Sequence, residues 1–396
     1  MRAVLRVCGA PVLLAFAVAG CGTGHVRPQS RAATPEVRAA VPGEVVDARL
    51  VRAGTGWLLT DRALSWTADG GRTWTPITPP GVRARSVKGV FFLDPRHGWV
   101  VWAKPAPASR ARLEISATTD GGISWSTSPL AAPGPLFADT AAEPAYIDFT
   151  DPRHGWVAVD VTQTALSPAG VLFRTTDGGA RWQQLPTPTS GPVAFTGPQT
   201  GWLVCDGQPG TRPAEQFYVT TDGGQAWHAK TVIPPAGYRP GQATYMMPAP
   251  ASPAAGVLAV TFGGGGTRAV MAFYQAADRG ASWELKATVP MGRPAGEVNG
   301  MPAIIGPATW LTVSMDTHQA VTVTSDGTRQ LRARMSGLPD GGLADASFTS
   351  TRSGWAVINA NRCAAFKTDC TQTSALYATT DGGAHWTLKD STTAPA

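Results

Sequence analysis

The sequence predicts an all-β protein, a seven-bladed β-propeller with four-stranded antiparallel blades, and three observations carry that expectation. A box of the form T-x-D-G-G-x-x-W recurs along the chain. A second motif, an apolar strand and a turn followed by Gly-Trp, precedes each copy. The pair returns about every 50 residues, a period that belongs to propellers rather than to solenoids of helical hairpins.

The boxes read "TADGGRTW" at 67–74, "TTDGGISW" at 118–125, "TTDGGARW" at 175–182, "TTDGGQAW" at 220–227 and "TTDGGAHW" at 379–386. "AADRGASW" at 276–283 is a worn copy, and "TSDGTRQL" at 324–331 has Leu331 where the Trp should stand. Their aspartates are Asp69, Asp120, Asp177, Asp222, Asp278, Asp326 and Asp381. The carboxylate accepts main-chain N–H groups of the turn behind it, and glycine supplies the positive φ that such a turn needs. A Trp opening the next strand packs between blades.

The preceding motif appears as "FFLDPRHGWVV" at 91–101, "IDFTDPRHGWVAV" at 147–159, "VAFTGPQTGWLV" at 193–204 and "ASFTSTRSGWAV" at 346–357, with weaker forms at 49–59, 252–260 and 304–313. Short alternating runs bounded by Pro, Gly, Asp and Ser are strands and tight turns. Each unit is therefore strand A, a turn, strand B from Gly-Trp, a variable loop, strand C, the aspartate turn and strand D. One such sheet cannot bury both faces, so the units must stack around an axis.

The chain begins with Arg2 and Arg6, an apolar run from Val7 to Ala19, and "VAGC" ending at Cys21. The run is shorter than the roughly 20 residues of a membrane span and has the layout of an export signal. Residues 22–43 hold Gly, Pro, Ser, Thr and Arg without apolar periodicity and read as a tether reaching on the order of 25 Å. The expected organisation is a signal peptide at 1–20, a flexible linker at 21–43, the propeller at 44–390 and a disordered tail at 391–396. The formal charge of +6 shrinks further when Arg2 and Arg6 leave, too mild for nucleic acid.

"VAGC" closely resembles a bacterial lipobox, which implies that Cys21 carries lipid and anchors the domain at the outer side of the cytoplasmic membrane. The boxes resemble the Asp-box, or BNR, repeat of sialidases, sortilin-type receptors and xyloglucanases. Combined with F-x-D-x-x-x-G-W they resemble most the Ycf48-type photosystem II assembly factors, whose fold is a seven-bladed propeller. That resemblance covers 44–390 and rests on residues that build blades, so it speaks for fold more than for function.

Two functions follow. The first is a non-catalytic binding or assembly scaffold, a monomer with a protein or an anionic envelope polymer as partner. The alternative is a sialidase-like glycoside hydrolase. Resemblance to that class implies an Arg triad, a Tyr nucleophile with a Glu partner, an acid/base Asp and an Arg-Ile-Pro motif, and no Arg-Ile-Pro occurs. No cofactor is expected. The histidines form no metal constellation, since His97 and His154 are one turn position in successive repeats. Length variation falls on the face formed by B–C and D–A loops, at 103–113, 128–145, 160–171, 205–216, 234–243, 288–299 and 359–374, and variable loops on a rigid scaffold house binding. Tyr238, Arg239 and Arg293 are the candidate binding residues there, arginine being suited to carboxylate or phosphate. Cys363 and Cys370 share one loop and are expected to form a disulfide in an oxidising compartment, the alternative being three free thiols with Cys205.

Overall fold

The computed structural model describes residues 41–104, 112–130, 144–164, 167–205, 216–252, 255–263, 268–294, 300–327, 330–363 and 370–395. At 161–164, 167–169, 293–294, 361–363, 370–372 and 391–395 only the backbone is described. The signal peptide, Cys21 and most of the linker lie outside these residues.

The seven sheets follow the chain in order, each an antiparallel meander. Blade 1 is β1 (Val45–Arg52), β2 (Thr55–Thr60), β3 (Leu64–Thr67) and β4 (Thr75–Pro76). Blade 2 is β5 (Val87–Phe92), β6 (Gly98–Lys104), β7 (Arg112–Thr118) and β8 (Ser126–Pro129). Blade 3 is β9 (Ala145–Phe149), β10 (Gly155–Thr164), β11 (Ser167–Thr175) and β12 (Gln183–Leu185). Blade 4 is β13 (Val193–Phe195), β14 (Gly201–Val204), β15 (Phe217–Thr220) and β16 (His228–Ala229). In blade 5 strand A is broken into β17 (Ala243–Tyr245) and β18 (Ala249–Ser252), both paired with β19 (Ala255–Phe262), ahead of β20 (Arg268–Ala276) and β21 (Glu284–Pro294). Blade 6 is β22 (Gly300–Gly306), β23 (Thr309–Ser314), β24 (Gln319–Thr324) and β25 (Gln330–Arg334). Blade 7 is β26 (Gly342–Phe348), β27 (Gly354–Cys363), β28 (Cys370–Thr379) and β29 (Thr387–Pro395).

Strands A of neighbouring blades touch one another, β5 with β9, β9 with β13, β22 with β26 and β26 with β1, so they surround the axis. The core is seven apolar clusters, one at each blade–blade contact. Trp99 of β6 lies flat on Phe149 of β9 in the next blade, with centroids 3.5 Å apart and planes 9° from parallel. Trp156 stacks on Phe195 of blade 4 in the same way, at 3.6 Å and 5°. The box Trp of the receiving blade then meets that Phe edge-on, Trp182 on Phe149 at 6.1 Å and Trp227 on Phe195 at 6.1 Å.

This sandwich explains why glycine precedes the Trp of strand B. Phe149 and Gly155 are register partners, and the phenyl ring lies across the glycine so closely that a Cβ there would overlap it. The same conflict guards Gly98 under Phe92, Gly201 under Phe195 and Gly354 under Phe348.

The ring closes between blades 7 and 1 without a shared strand. Val41, Val45, Ala48, Leu50 and Leu58 pack against Trp355, Val357, Leu376 and Ala378, and Trp355 tilts over Trp74 at 5.8 Å. Leu50 N–H donates to Ser347 Oγ at 3.1 Å, and Val41 N–H to Asp390 Oδ2 at 3.3 Å. Val41 is buried there, so the expected linker ends a few residues early.

Three other expectations are corrected. Residues 391–395 are not a tail but the end of β29, where Pro395 pairs with Thr371. The stretches around 160–171 and 359–374 are largely strand, because β10–β11 and β27–β28 prolong their hairpins. Each box Trp sits one residue before strand D rather than opening it.

Gly155→Ala should destabilise the fold by about 1–3 kcal/mol, the usual cost of forcing atoms into a packed core. Adding Phe149→Leu should recover part of it in a denaturant melt. An unchanged midpoint in the single variant would mean that the ring does not depend on this contact.

Candidate functional site

The A–B and C–D turns share one face of the ring, and the structure ties them together. The first box glycine of five blades donates its N–H to the A–B turn of the same blade: Gly70 to Gly54 O, Gly121 to Arg96 O, Gly178 to Arg153 O, Gly223 to Gln199 O and Gly382 to Arg352 O, all within 2.7–2.9 Å. These glycines have φ between 76° and 81°, a region closed to most side chains.

Within each box the aspartate closes the turn. In blade 3 Asp177 Oδ1 accepts Thr175 Oγ1–H at 2.9 Å and Arg181 N–H at 2.9 Å, while Thr175 Oγ1 accepts Gly179 N–H at 2.9 Å. The pattern repeats at Asp69, Asp120, Asp222 and Asp381. The worn boxes keep parts of it: Asp278 holds Ser282 through N–H and hydroxyl, and Thr324 donates to Asp326 at 2.6 Å. Partial burial works against the charge of Asp69 and Asp381, but hydrogen bonds from the turn outweigh it and hold both carboxyls at about 2. The tryptophan ties the other side, Trp182 Nε1–H donating to Gly179 O at 3.0 Å. Across the blade boundary Trp99 and Trp156 donate to the next blade's box, at Gly178 O (2.9 Å) and Gly223 O (3.0 Å).

The histidines of the turn face are also engaged. His97 Nδ1 lies 2.8 Å from Asp94 Oδ2, and His154 Nδ1 lies 2.8 Å from Asp151 Oδ2. Among the described residues no group of three or more His, Cys, Asp or Glu could hold a metal ion.

On the opposite face the candidate residues gather at blade 5. Tyr238 is half-buried against Phe262 and donates its hydroxyl to Arg268 O at 2.8 Å. Arg239 is exposed beside it. Arg293 is not in a loop of the next blade: β21 runs to Pro294, and Pro294 is the register partner of Arg268. The backbone thus brings Tyr238, Arg268 and Arg293 to one end of one blade. Two further tyrosines pin the approach to this corner, Tyr274 donating to Ile233 O at 2.7 Å and Tyr245 accepting Val232 N–H at 3.3 Å. Ile233 itself is 81% exposed.

Cys363 and Cys370 are register partners at the end of β27 and β28. Cys205 is a free, buried thiol behind β14, receiving the Thr189 hydroxyl at 3.1 Å.

The inner strands hold charges that no motif announced: Asp47, Arg49 and Arg52 on β1, Lys88 on β5, Asp148 on β9 and Asp345 on β26. The inner strands of blades 4, 5 and 6 carry none. Asp148 Oδ2 accepts Phe195 N–H from blade 4 at 2.6 Å. Enclosure by the surrounding strands pushes its carboxyl up to about 7 against the pull of that hydrogen bond and of Arg49. The available signal was a lone acid inside an apolar strand, "AYIDF".

No protein-family model matches the sequence, and neither does any curated protein. Among solved structures the chain is similar to YCF48 from Cyanidioschyzon merolae, at 16% identity and TM-score 0.50, covering 80% of this chain and 93% of that one. YCF48 bound to D1 peptide follows at 17% identity and TM-score 0.44, covering 77% and 80%. An ancestral GH74 enzyme is 14% identical with TM-score 0.50; the match covers 88% of this chain but only 54% of the enzyme. At such identities the likeness bears on the fold.

Asp177→Ala should cost about 1 kcal/mol, low in the range for lost hydrogen bonds because the turn is open to water. The box carboxyls lie below their ordinary value, so their stabilisation is present above pH 3.8 and lost as pH falls through about 2. Thermal melts across that window test both statements, and Asp177→Ala should leave any loop-face binding intact.

Proposed function

We propose that this chain is a non-catalytic binding or assembly scaffold, held at the outer side of the bacterial cytoplasmic membrane by lipid on Cys21. Its loop face engages a protein or an anionic envelope polymer. The observation that carries this reading is the use made of the reactive side chains. The aspartates of the repeated boxes, which we read as Asp-box repeats, and the histidines of the A–B turns close turns within their own blades. The hydroxyls of Tyr238, Tyr245 and Tyr274 are bonded to backbone. A sialidase-like hydrolase needs a tyrosine poised to attack, and burial pushes the Tyr245 and Tyr274 hydroxyls up, away from ionisation.

On the loop face Arg239, Arg268 and the backbone position of Arg293 lie at one end of blade 5. Planar guanidinium groups favour bidentate contact with carboxylate or phosphate. The sequence resemblance to Ycf48-type assembly factors points to the same kind of role. In the tip of blade 7 we propose a disulfide between Cys363 and Cys370, whose opposed positions in an antiparallel pair lie within the Cα separation such a bond requires.

Charge reversal of Arg239 and Arg293 together should weaken capture of the partner in crosslinking pull-downs while the melting temperature stays nearly unchanged. Undiminished capture would remove this corner from the binding face, and turnover of a fluorogenic sialoside would favour the hydrolase. Intact mass analysis of protein from the membrane fraction should find a lipidated Cys21 and one disulfide. A chain with unmodified Cys21, or with three alkylatable thiols, would overturn the corresponding assignment.

A further inference from the structure

Basic side chains crowd the loop face where blade 1 meets blade 2. The segment between the blades crosses the joint and makes one 3-10 turn, Ala84–Ser86, in which Ser86 donates its N–H and its hydroxyl to Arg83 O at 2.8 and 2.7 Å. The turn packs against β2 and β6 and buries Ala84 with Leu59, Phe92 and Val100. Burial of the alanine leaves Arg83 and Arg85 exposed on either side of it. Arg85 reaches the B–C loop of blade 1, donating to Asp61 Oδ2 through Nη2 at 2.7 Å and through Nε at 3.2 Å, and exposed Arg62 stands next to that acid. On the blade 2 side, Lys104 follows Val100 and Trp102 along the side of β6 that faces blade 1, and exposed Arg112 is its register partner on β7. Lys104 pairs with Glu114 at 2.8 Å.

Five bases thus meet two acids, each already held by a base. The side chains of Arg62, Arg83 and Arg112 form no hydrogen bond with the described residues, so their guanidinium groups are in excess at an exposed joint.

The chain enters the ring at the same place. Thr60 Oγ1–H donates to Pro42 O at 2.9 Å, Glu44 N–H to Asp61 Oδ1 at 2.8 Å and Asp61 N–H to Glu44 O at 2.9 Å. Residues 42–44 are therefore fastened to the loop that carries Asp61 and Arg62. Glu44 spends its carboxylate elsewhere, accepting the Ser374 hydroxyl of blade 7 at 3.5 Å.

We propose that this patch docks on anionic lipid headgroups and so sets the orientation of the ring on the bilayer. The inference rests on the reading of Cys21 as the lipid-bearing residue. A tether of residues 22–40 reaches on the order of 25 Å, and the bases around its root are the part of the ring held nearest the headgroups. Each base beside such a surface strengthens association about fivefold. The turn face is unsuited to this place, since it carries the seven box aspartates together with Asp94 and Asp151, which an anionic surface repels. In a closed ring of seven, the joint between blades 1 and 2 lies opposite blade 5. Docking there leaves Tyr238, Arg239 and Arg268 to the partner proposed above.

Hydrogen exchange on the full-length lipidated protein, reconstituted in vesicles of phosphatidylcholine with or without phosphatidylglycerol, tests the proposal. Amides of 61–63 and 81–86 should exchange more slowly when phosphatidylglycerol is present, and added salt should remove the difference by screening. Amides of 236–242 in blade 5 should not respond. Arg62→Glu, Arg83→Glu and Arg112→Glu together should abolish the protection while the lipid keeps the protein on the vesicles; Arg83→Glu alone should reduce it and serves if the triple variant does not fold. Retention on pure phosphatidylcholine reports the anchor by itself. If the protein washes off, the anchor reading fails, and the patch must still carry the chain to added phosphatidylglycerol vesicles, with the triple variant binding more than about a hundredfold less. Exchange that is the same on both lipids, protection that survives the triple variant, or a patch shielded only when a protein partner is bound would overturn the lipid assignment.

Discussion

The flat contact between an indole of one blade and a phenyl ring of the next is the interaction on which the rest of this ring depends. No strand passes from one sheet to another, so each blade recognises its neighbour largely through side chains. Trp99 on Phe149 and Trp156 on Phe195 do so with nearly parallel rings, and the glycine beneath each phenyl lets it lie against the sheet. Two bulky rings buried at one joint supply several kcal/mol by area. The indole N–H adds direction by donating to a glycine carbonyl in the neighbour's box. Phe, Gly and Trp thus form a single device spread over two blades.

That device also explains the uneven character of the ring. Where Phe is replaced, as by Leu50 in blade 1, the joint is made by other means: Trp355 tilts over Trp74, and polar bonds cross at Ser347 and Asp390. Blades 5 and 6 have worn boxes, and there Phe273 stacks on Trp310 at 5.3 Å. The turn face is occupied by its own hydrogen bonds. On the loop face the described residues include exposed Arg239, Arg268 and Ile233.

Blade number, strand order and the role of the aspartates were legible in the sequence because each is repeated, and repetition turns a weak local signal into a pattern. Tyr238 and Arg239 could be placed on the loop face because topology alone separates the two faces. Arg293 was placed in the wrong element, since nothing local distinguishes a strand that outruns its blade from the loop it becomes. The long ends of β27, β28 and β29 were hidden for the same reason: polar, Thr-rich segments such as "CTQTS" and "STTAP" pair only because a neighbouring strand is there to receive them. Asp47, Asp148 and Asp345 escaped because alternation along a strand says which residues share a side, not that the strand borders an axis shared with the inner strands of the other blades.

Each blade is contiguous in sequence, and blade 1 is complete without a strand from the far end of the chain. A ring assembled in that manner has no privileged first member. Whole repeats can be duplicated, lost or reordered in evolution with only the two adjoining interfaces to be refitted, and the divergence of the fifth and sixth boxes shows how far single members can drift while the ring stays intact. The same contiguity lets every blade form its own sheet from neighbouring segments, so that circularisation is the most non-local event of folding.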